Sequence, residues 1–149
     1  MAERLTRIQT DIDRYDWHVI LVPEDEIGPS FAYSIGLYQT FRHPEVIVFG
    51  LDLANLHSAV NQIGSEIRKG VRFGEGDGSD EVFEGVSVRF RLVSTDFYDE
   101  YLGQAIRYYA GNGFPCLQCF WPDGEGSFPW DSDYRFNVDS PQPQLQQQK

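Results

Sequence analysis

Basic residues are scarce in this chain. Twelve Lys and Arg stand against 23 Asp and Glu, a formal net charge of -11 over 149 residues. Such a chain repels nucleic-acid phosphates unless its few cations cluster. They are instead spread over Arg4, Arg7 and Arg14, then Arg68, Lys69 and Arg72, then Arg89 and Arg91. This argues against a nucleic-acid partner and leaves open docking on a basic partner protein. Long apolar runs are also missing: nothing approaches the roughly 18–20 residues that cross a bilayer. The opening MAERLTRIQTDID lacks the hydrophobic stretch of an export signal. With only 2 cysteines and no such signal, a cytoplasmic location without membrane association is the expectation.

Apolar residues are not lacking. At 41% hydrophobic and 15% aromatic, the chain can build a core without metal or disulfide support, and its length fits one domain. The expected division is a lead-in over residues 1–16, one α+β domain over 17–136, and a disordered Gln/Pro-rich tail over 137–149. β-Branched or alternating runs predict strands at 17–22, 31–37, 45–50, 86–93 and 114–121. The third of these is apolar enough to be central and buried on both faces. Helical spacing of Leu53, Leu56, Val60, Ile63 and Ile67 predicts a helix over 52–69 capped by Asp52. A second helix is predicted over 96–109, with Asp96 as its cap, and the Gly- and acid-rich stretch between Val71 and Gly85 as a link. The order β-β-β-α-β-α-β fits a single mixed or mostly antiparallel sheet, with a barrel-like variant, packed by two main helices.

The second strand has one face made only of small residues, Ala32, Ser34 and Gly36, opposite Phe31, Tyr33 and Ile35. Small residues admit a packed helix, another backbone or a ligand. Other candidate chemistry is thin. Cys116 and Cys119 lie three apart in a strand, which places them on opposite faces and argues against a redox pair or a metal site. His18, His43 and His57 have no metal-ligand spacing; His43, just beyond the small-residue strand, is the one placed to act with acids in a hydrolase or metalloenzyme. Ser34 lacks the G-x-S-x-G context and following helix of a nucleophile elbow. The 74–80 loop lacks the features of a phosphate or calcium loop. Aromatic residues crowd the C-terminal third, where Trp121, Phe128 and Trp130 suit a core lid, a planar-ligand pocket or a protein interface.

The segments GPSFAYSIGLYQTFRHPEVIVFGL, RFGEGD, DFYDEYLGQAIRYYAG and LQCFWPDGEGSFPWD, in this order, resemble a bacterial family of unknown function, DUF4262. The resemblance marks Phe31, Tyr33, Ser34, Gly36, Leu37, His43, Pro44 and Glu45, and then Gln118, Trp121, Pro122, Asp123, Gly126, Phe128, Pro129 and Trp130. The cysteine pair lies outside that pattern, and the resemblance brings no activity with it. The opening strands also resemble flavin-reductase split barrels, which implies an FMN-linked oxidoreductase with Tyr33 and Ser34 near the phosphate. Without that resemblance no cofactor is expected. The candidate residues for ligand or partner binding are therefore Tyr33, Ser34, Gly36, His43, Gln118, Trp121, Asp123 and Trp130, with no metal ligands. The leading expectation is an interaction or accessory protein that docks on a partner protein.

Overall fold

A computed structural model describes residues 2–135 and 141–146. Its elements are α1 (Ala2–Tyr15), β1 (His18–Val22), β2 (Phe31–Ile35), α2 (Leu37–Phe41), β3 (Glu45–Phe49), α3 (Leu53–Arg68), β4 (Gly78–Phe83), β5 (Val86–Leu92), a 3-10 turn (Thr95–Phe97), α4 (Tyr98–Tyr101), α5 (Gly103–Tyr109) and β6 (Cys116–Phe120). The strands form one six-stranded sheet in the order β1-β2-β3-β6-β5-β4. Only β3 and β6 run parallel; the other neighbours are antiparallel. The sheet is mixed and mostly antiparallel, as expected, but it does not close into a barrel: β1 and β4 are its two outer strands. Among the described residues no helix is long and apolar enough to cross a membrane.

Each face of the sheet carries its own core. On one face α3 lays Leu56, Ala59, Val60, Ile63 and Ile67 against Ala32, Val46, Val48, Val88, Phe90 and Leu117. The stripe is the one the sequence predicts except at Leu53, which stays 38% exposed. Asp52 caps α3, its Oδ1 accepting from the Asn55 N–H at 2.8 Å. Gly64 is required here: a Cβ would come within 2.6 Å of the Trp17 ring. On the other face, Ile8 and Ile12 of α1 join Ile20, Tyr33, Ile35, Ile47 and Phe49 with Tyr98, Leu102 and Ala105. The lead-in is thus an amphipathic helix, one turn of spacing bringing both isoleucines inward.

Three expectations change. The link between α3 and β5 contains a strand, β4, because the free edge of β5 offers a hydrogen-bond ladder that outweighs poor local β propensity. The predicted helix over 96–109 is broken at Leu102 (φ -112°, ψ 31°), and its first turn is capped by Ser94, whose Oγ accepts from the Asp96 N–H at 3.3 Å. The expected disordered tail is, over residues 141–146, packed onto the protein. Leu145 is 1% exposed in the second core, and its carbonyl accepts from the Ser94 N–H at 2.7 Å. Composition pointed to disorder because Gln and Pro have little to bury, yet Gln hydrogen-bonds as readily as a backbone unit. Residues 137–140 and 147–149 of that expected tail lie outside the described residues.

Leu145→Ala should cost about 2–5 kcal/mol in urea unfolding; a cost near zero would show that the segment does not contribute to the core.

Candidate functional site

Glu45 opens the central strand β3 and is 0% exposed. Its Oε1 accepts from Ser34 Oγ at 2.7 Å and the Leu37 N–H at 3.2 Å. Its Oε2 accepts from the N–H groups of Gly36 at 2.9 Å and Tyr38 at 3.2 Å, and from the Tyr109 hydroxyl. Both hydroxyls have their acceptor side occupied, Ser34 Oγ by the Val46 N–H at 3.0 Å and Tyr109 Oη by the Gly36 N–H at 3.1 Å. Every neighbour therefore donates, an arrangement suited to a carboxylate. Burial pushes the Glu45 pKa up, against the downward pull of the Ser34, Tyr109 and backbone donors. Burial first, and then the Glu45 charge, drive the Tyr109 phenol well above its ordinary range.

This arrangement accounts for the small-residue face of β2. Ala32 packs in the α3 core, Ser34 is a Glu45 ligand, and Gly36 adopts φ +121°, where a Cβ would lie 2.8 Å from Ile12 and 2.9 Å from the Trp17 backbone. On the opposite face Tyr33 is buried, its oxygen accepting from the Gln104 N–H at 3.1 Å, and burial raises its pKa to about 12.

The remaining candidates fall into separate places. His43 is buried. Its Nε2 accepts from the Phe73 N–H at 2.9 Å, so the proton sits on Nδ1 and is donated to the Pro44 carbonyl at 2.8 Å. Burial lowers its pKa, opposed by the Pro44 bond, with Arg72 adding a further downward push. Gln118 holds the C-terminal segment: Nε2 donates to the Pro143 carbonyl at 2.6 Å and Oε1 accepts from the Leu145 N–H at 3.3 Å. Gln142 pairs with the Trp121 backbone as another strand would, accepting from its N–H at 3.0 Å and donating to its carbonyl at 2.9 Å. Trp121 Nε1 donates to the Phe49 carbonyl at 2.7 Å, and its ring helps line a small apolar hollow of about 240 Å³ with Leu51, Phe83 and Val86. Asp123 organises the following turn by accepting from the N–H groups of Ser127, Glu125 and Arg135, each at 2.9 Å, and these bonds hold its carboxyl below its ordinary value. Trp130 stacks on Phe128 (5.1 Å between centroids) and carries the Arg91 guanidinium 5.1 Å from its ring.

The eight candidates therefore do not meet in one cavity. The cysteines lie on opposite faces of β6, one in each core, with both thiol pKa values raised by burial. What sequence reasoning did not assemble is a cleft of about 420 Å³ at the β1 edge. It is lined by Asp11 and Tyr15 from α1, Trp17, His18 and Val19 from the edge strand and its lead, and His57, Asn61 and Arg68 from α3. The spacing of His57, Asn61 and Arg68 (i, i+4, i+11) puts them on one helix face and was the available signal; that Asp11 and His18 face them is set by the fold.

Glu45→Gln keeps the shape but turns an amide toward groups that all donate. It should lower stability by about 3 kcal/mol or more in urea at neutral pH; a loss under about 1 kcal/mol would mean that the carboxylate is not the acceptor these donors require. His43 has a folded pKa below its unfolded value near 6.5, so its contribution is complete above that pH and is lost as the pH falls from about 6.5 toward the folded pKa. Between pH 7.5 and 5.5 the wild type should lose more stability than His43→Gln, by up to about 1.4 kcal/mol per pH unit; parallel losses would remove His43 from the acid response.

No curated protein and no solved structure matches the chain. A family match is found, covering residues 11–135 and hence the edge cleft, the Glu45 centre and the Asp123 turn alike. The chain belongs to the family described as Domain of unknown function (DUF4262).

Proposed function

We propose that the protein is a docking module that receives an extended, basic segment of a partner protein along β4. The observation that carries this reading is the free edge of that strand. β4 pairs only with β5, with a register shift between Ser79 and Phe83. An open groove of about 540 Å³ lies beside it, between the end of α3 and the β4–β5 hairpin, lined by Glu66, Val71 and Phe73 on one side and by residues 78–81 with Ser87, Val88 and Arg89 on the other. An unpaired edge offers N–H and C=O groups to an incoming strand, and neighbouring side chains select which strand enters.

Charge supports the choice of occupant. Around β4 the sequence holds Glu75, Asp77, Asp80, Glu81 and Glu84 against Arg72 and Arg89, the latter on the groove wall. Arg91 pairs with Glu75 at 3.5 Å, and Asp80 accepts from Ser87 Oγ. Glu81 and Glu84 have no ion-pair partner among the described residues. Like charge opposes edge-to-edge pairing of two copies, while a cationic strand is attracted and steered. Val71, 39% exposed, offers an apolar contact beside the edge.

A short peptide of alternating Lys and Val, titrated into the isotopically labelled protein, should shift the amide signals of residues 78–84. The affinity should fall severalfold as salt is raised from about 0.05 to 0.3 M, and charge reversal at Glu81 and Glu84 to Lys should abolish the shifts. Equal shifts with an alternating Glu and Val peptide, or shifts elsewhere on the fold, would refute the reading.

A further inference from the structure

The cleft at the β1 edge is lined by two imidazoles, His18 and His57. His18 Nδ1 lies 2.6 Å from Asp11 Oδ2, with the two side chains only 16% and 34% exposed. An ionised carboxylate can only accept, so Asp11 holds the proton on Nδ1, and in the neutral ring Nε2 carries the lone pair. That Nε2 has no hydrogen-bond partner among the described residues. On the facing wall the chain of assignments starts from Trp17, whose indole N–H can only donate and gives to Asn61 Oδ1 at 2.9 Å. The Asn61 amide is thereby fixed with its NH₂ toward His57 Nδ1, a long contact of 3.5 Å. In the tautomer that this contact favours, His57 Nδ1 accepts and the ring proton sits on Nε2. The guanidinium of Arg68 lies 4.5 Å from the Trp17 ring centroid, held by Asp16 and the Tyr15 carbonyl.

Chemistry narrows what such a cleft handles. No Ser, Thr, Cys or Lys lines it, so no side chain there suits covalent acyl or imine formation. Asp11 and Arg68 on its walls offset one another in charge, which suits a neutral molecule. What remains is proton transfer on a small, neutral molecule that offers an acidic hydrogen beside an oxygen acceptor. We propose that the cleft binds a small α-hydroxycarbonyl compound and moves a proton on it. His18 Nε2 takes the hydrogen from the hydroxyl-bearing carbon. The C–H electron pair becomes the C=C bond of an enediolate, and the carbonyl oxygen, now negative, is held by the His57 Nε2–H. Return of the proton from the His18 imidazolium to the same carbon restores the compound, its hydrogen exchanged with solvent in between, with no oxidant or second reactant. Asp11 is a positioning residue that keeps His18 in the required tautomer. This inference is independent of the β4 reading, since the two surfaces share no residue.

The test is solvent exchange with the full chain in D₂O, using dihydroxyacetone as the probe and following loss of its C–H proton signal. The wild type should exceed His18→Gln by about 10²-fold or more, and His57→Gln should lose at least about tenfold. Asp11→Asn should slow exchange and also change the imidazole nitrogen spectrum of His18 from one tautomer to a mixture, a change that a merely structural role would not produce. His57 is exposed, so its variant decides the matter even if the His18 variant fails to fold. Exchange by the wild type no faster than by His57→Gln would overturn the proposal, as would exchange that persists in a folded His18→Gln.

Discussion

The buried carboxylate of Glu45 holds four elements in register. It begins β3, receives the N–H groups that open α2, takes the hydroxyl of Ser34 from β2 and that of Tyr109 from α5. A charge buried this deeply is tolerable only when its hydrogen-bonding capacity is filled. The need to fill it dictates the local sequence. Gly36 must leave the ordinary backbone region so that its N–H points inward, and position 34 must be small and hydroxylated. Tyr109 must span from α5 across the second core. Ser34 and Gly36, which look like part of a site from sequence, are here supports of one internal carboxylate.

The same logic extends to the far end of β3 and β6. Gln118 sits in the middle of a fully buried strand, where an amide without partners would be costly. The C-terminal segment supplies them through Pro143 and Leu145, and Gln142 returns the favour at Trp121. Polar side chains thus do the work of an additional strand, fastening residues 141–146 to the protein without a sheet ladder. Gly50 takes part as well: at φ +87° it leaves room for Pro141, which a Cβ would approach to 2.6 Å.

An open sheet leaves two edges, and the two differ in their surroundings. At β4, which pairs with β5 alone among the described strands, the flanking residues are mostly acidic. At β1 the helices α1 and α3, one on each face, rise beside the edge strand and enclose a cleft. Trp17 sits at the junction, its ring beside Gly64 of α3, its N–H on Asn61, and its outer surface under Arg68. One aromatic residue thereby ties the α3 wall of the cleft to the edge strand.

The amino-acid pattern alone determined a good deal: the α+β class, the buried central strand, the Asp52-capped helix, the separation of Cys116 from Cys119 onto opposite faces, and the family. The family follows from the matching segments and their order, and the rest from periodicity and nearest-neighbour chemistry, which are local. Only the tertiary structure decided that residues 78–83 form a strand, since their partner β5 follows in the chain but their composition favours a loop. It also decided that residues 141–146 are held, because the groups that hold them lie more than twenty positions earlier. Above all it sorted the histidines. His43, the one that the sequence made most attractive, has both ring nitrogens committed to backbone groups. His18 and His57, thirty-nine positions apart, share a cleft. Burial and hydrogen-bond saturation depend on which residues meet across the sheet, and a one-dimensional pattern does not contain those meetings.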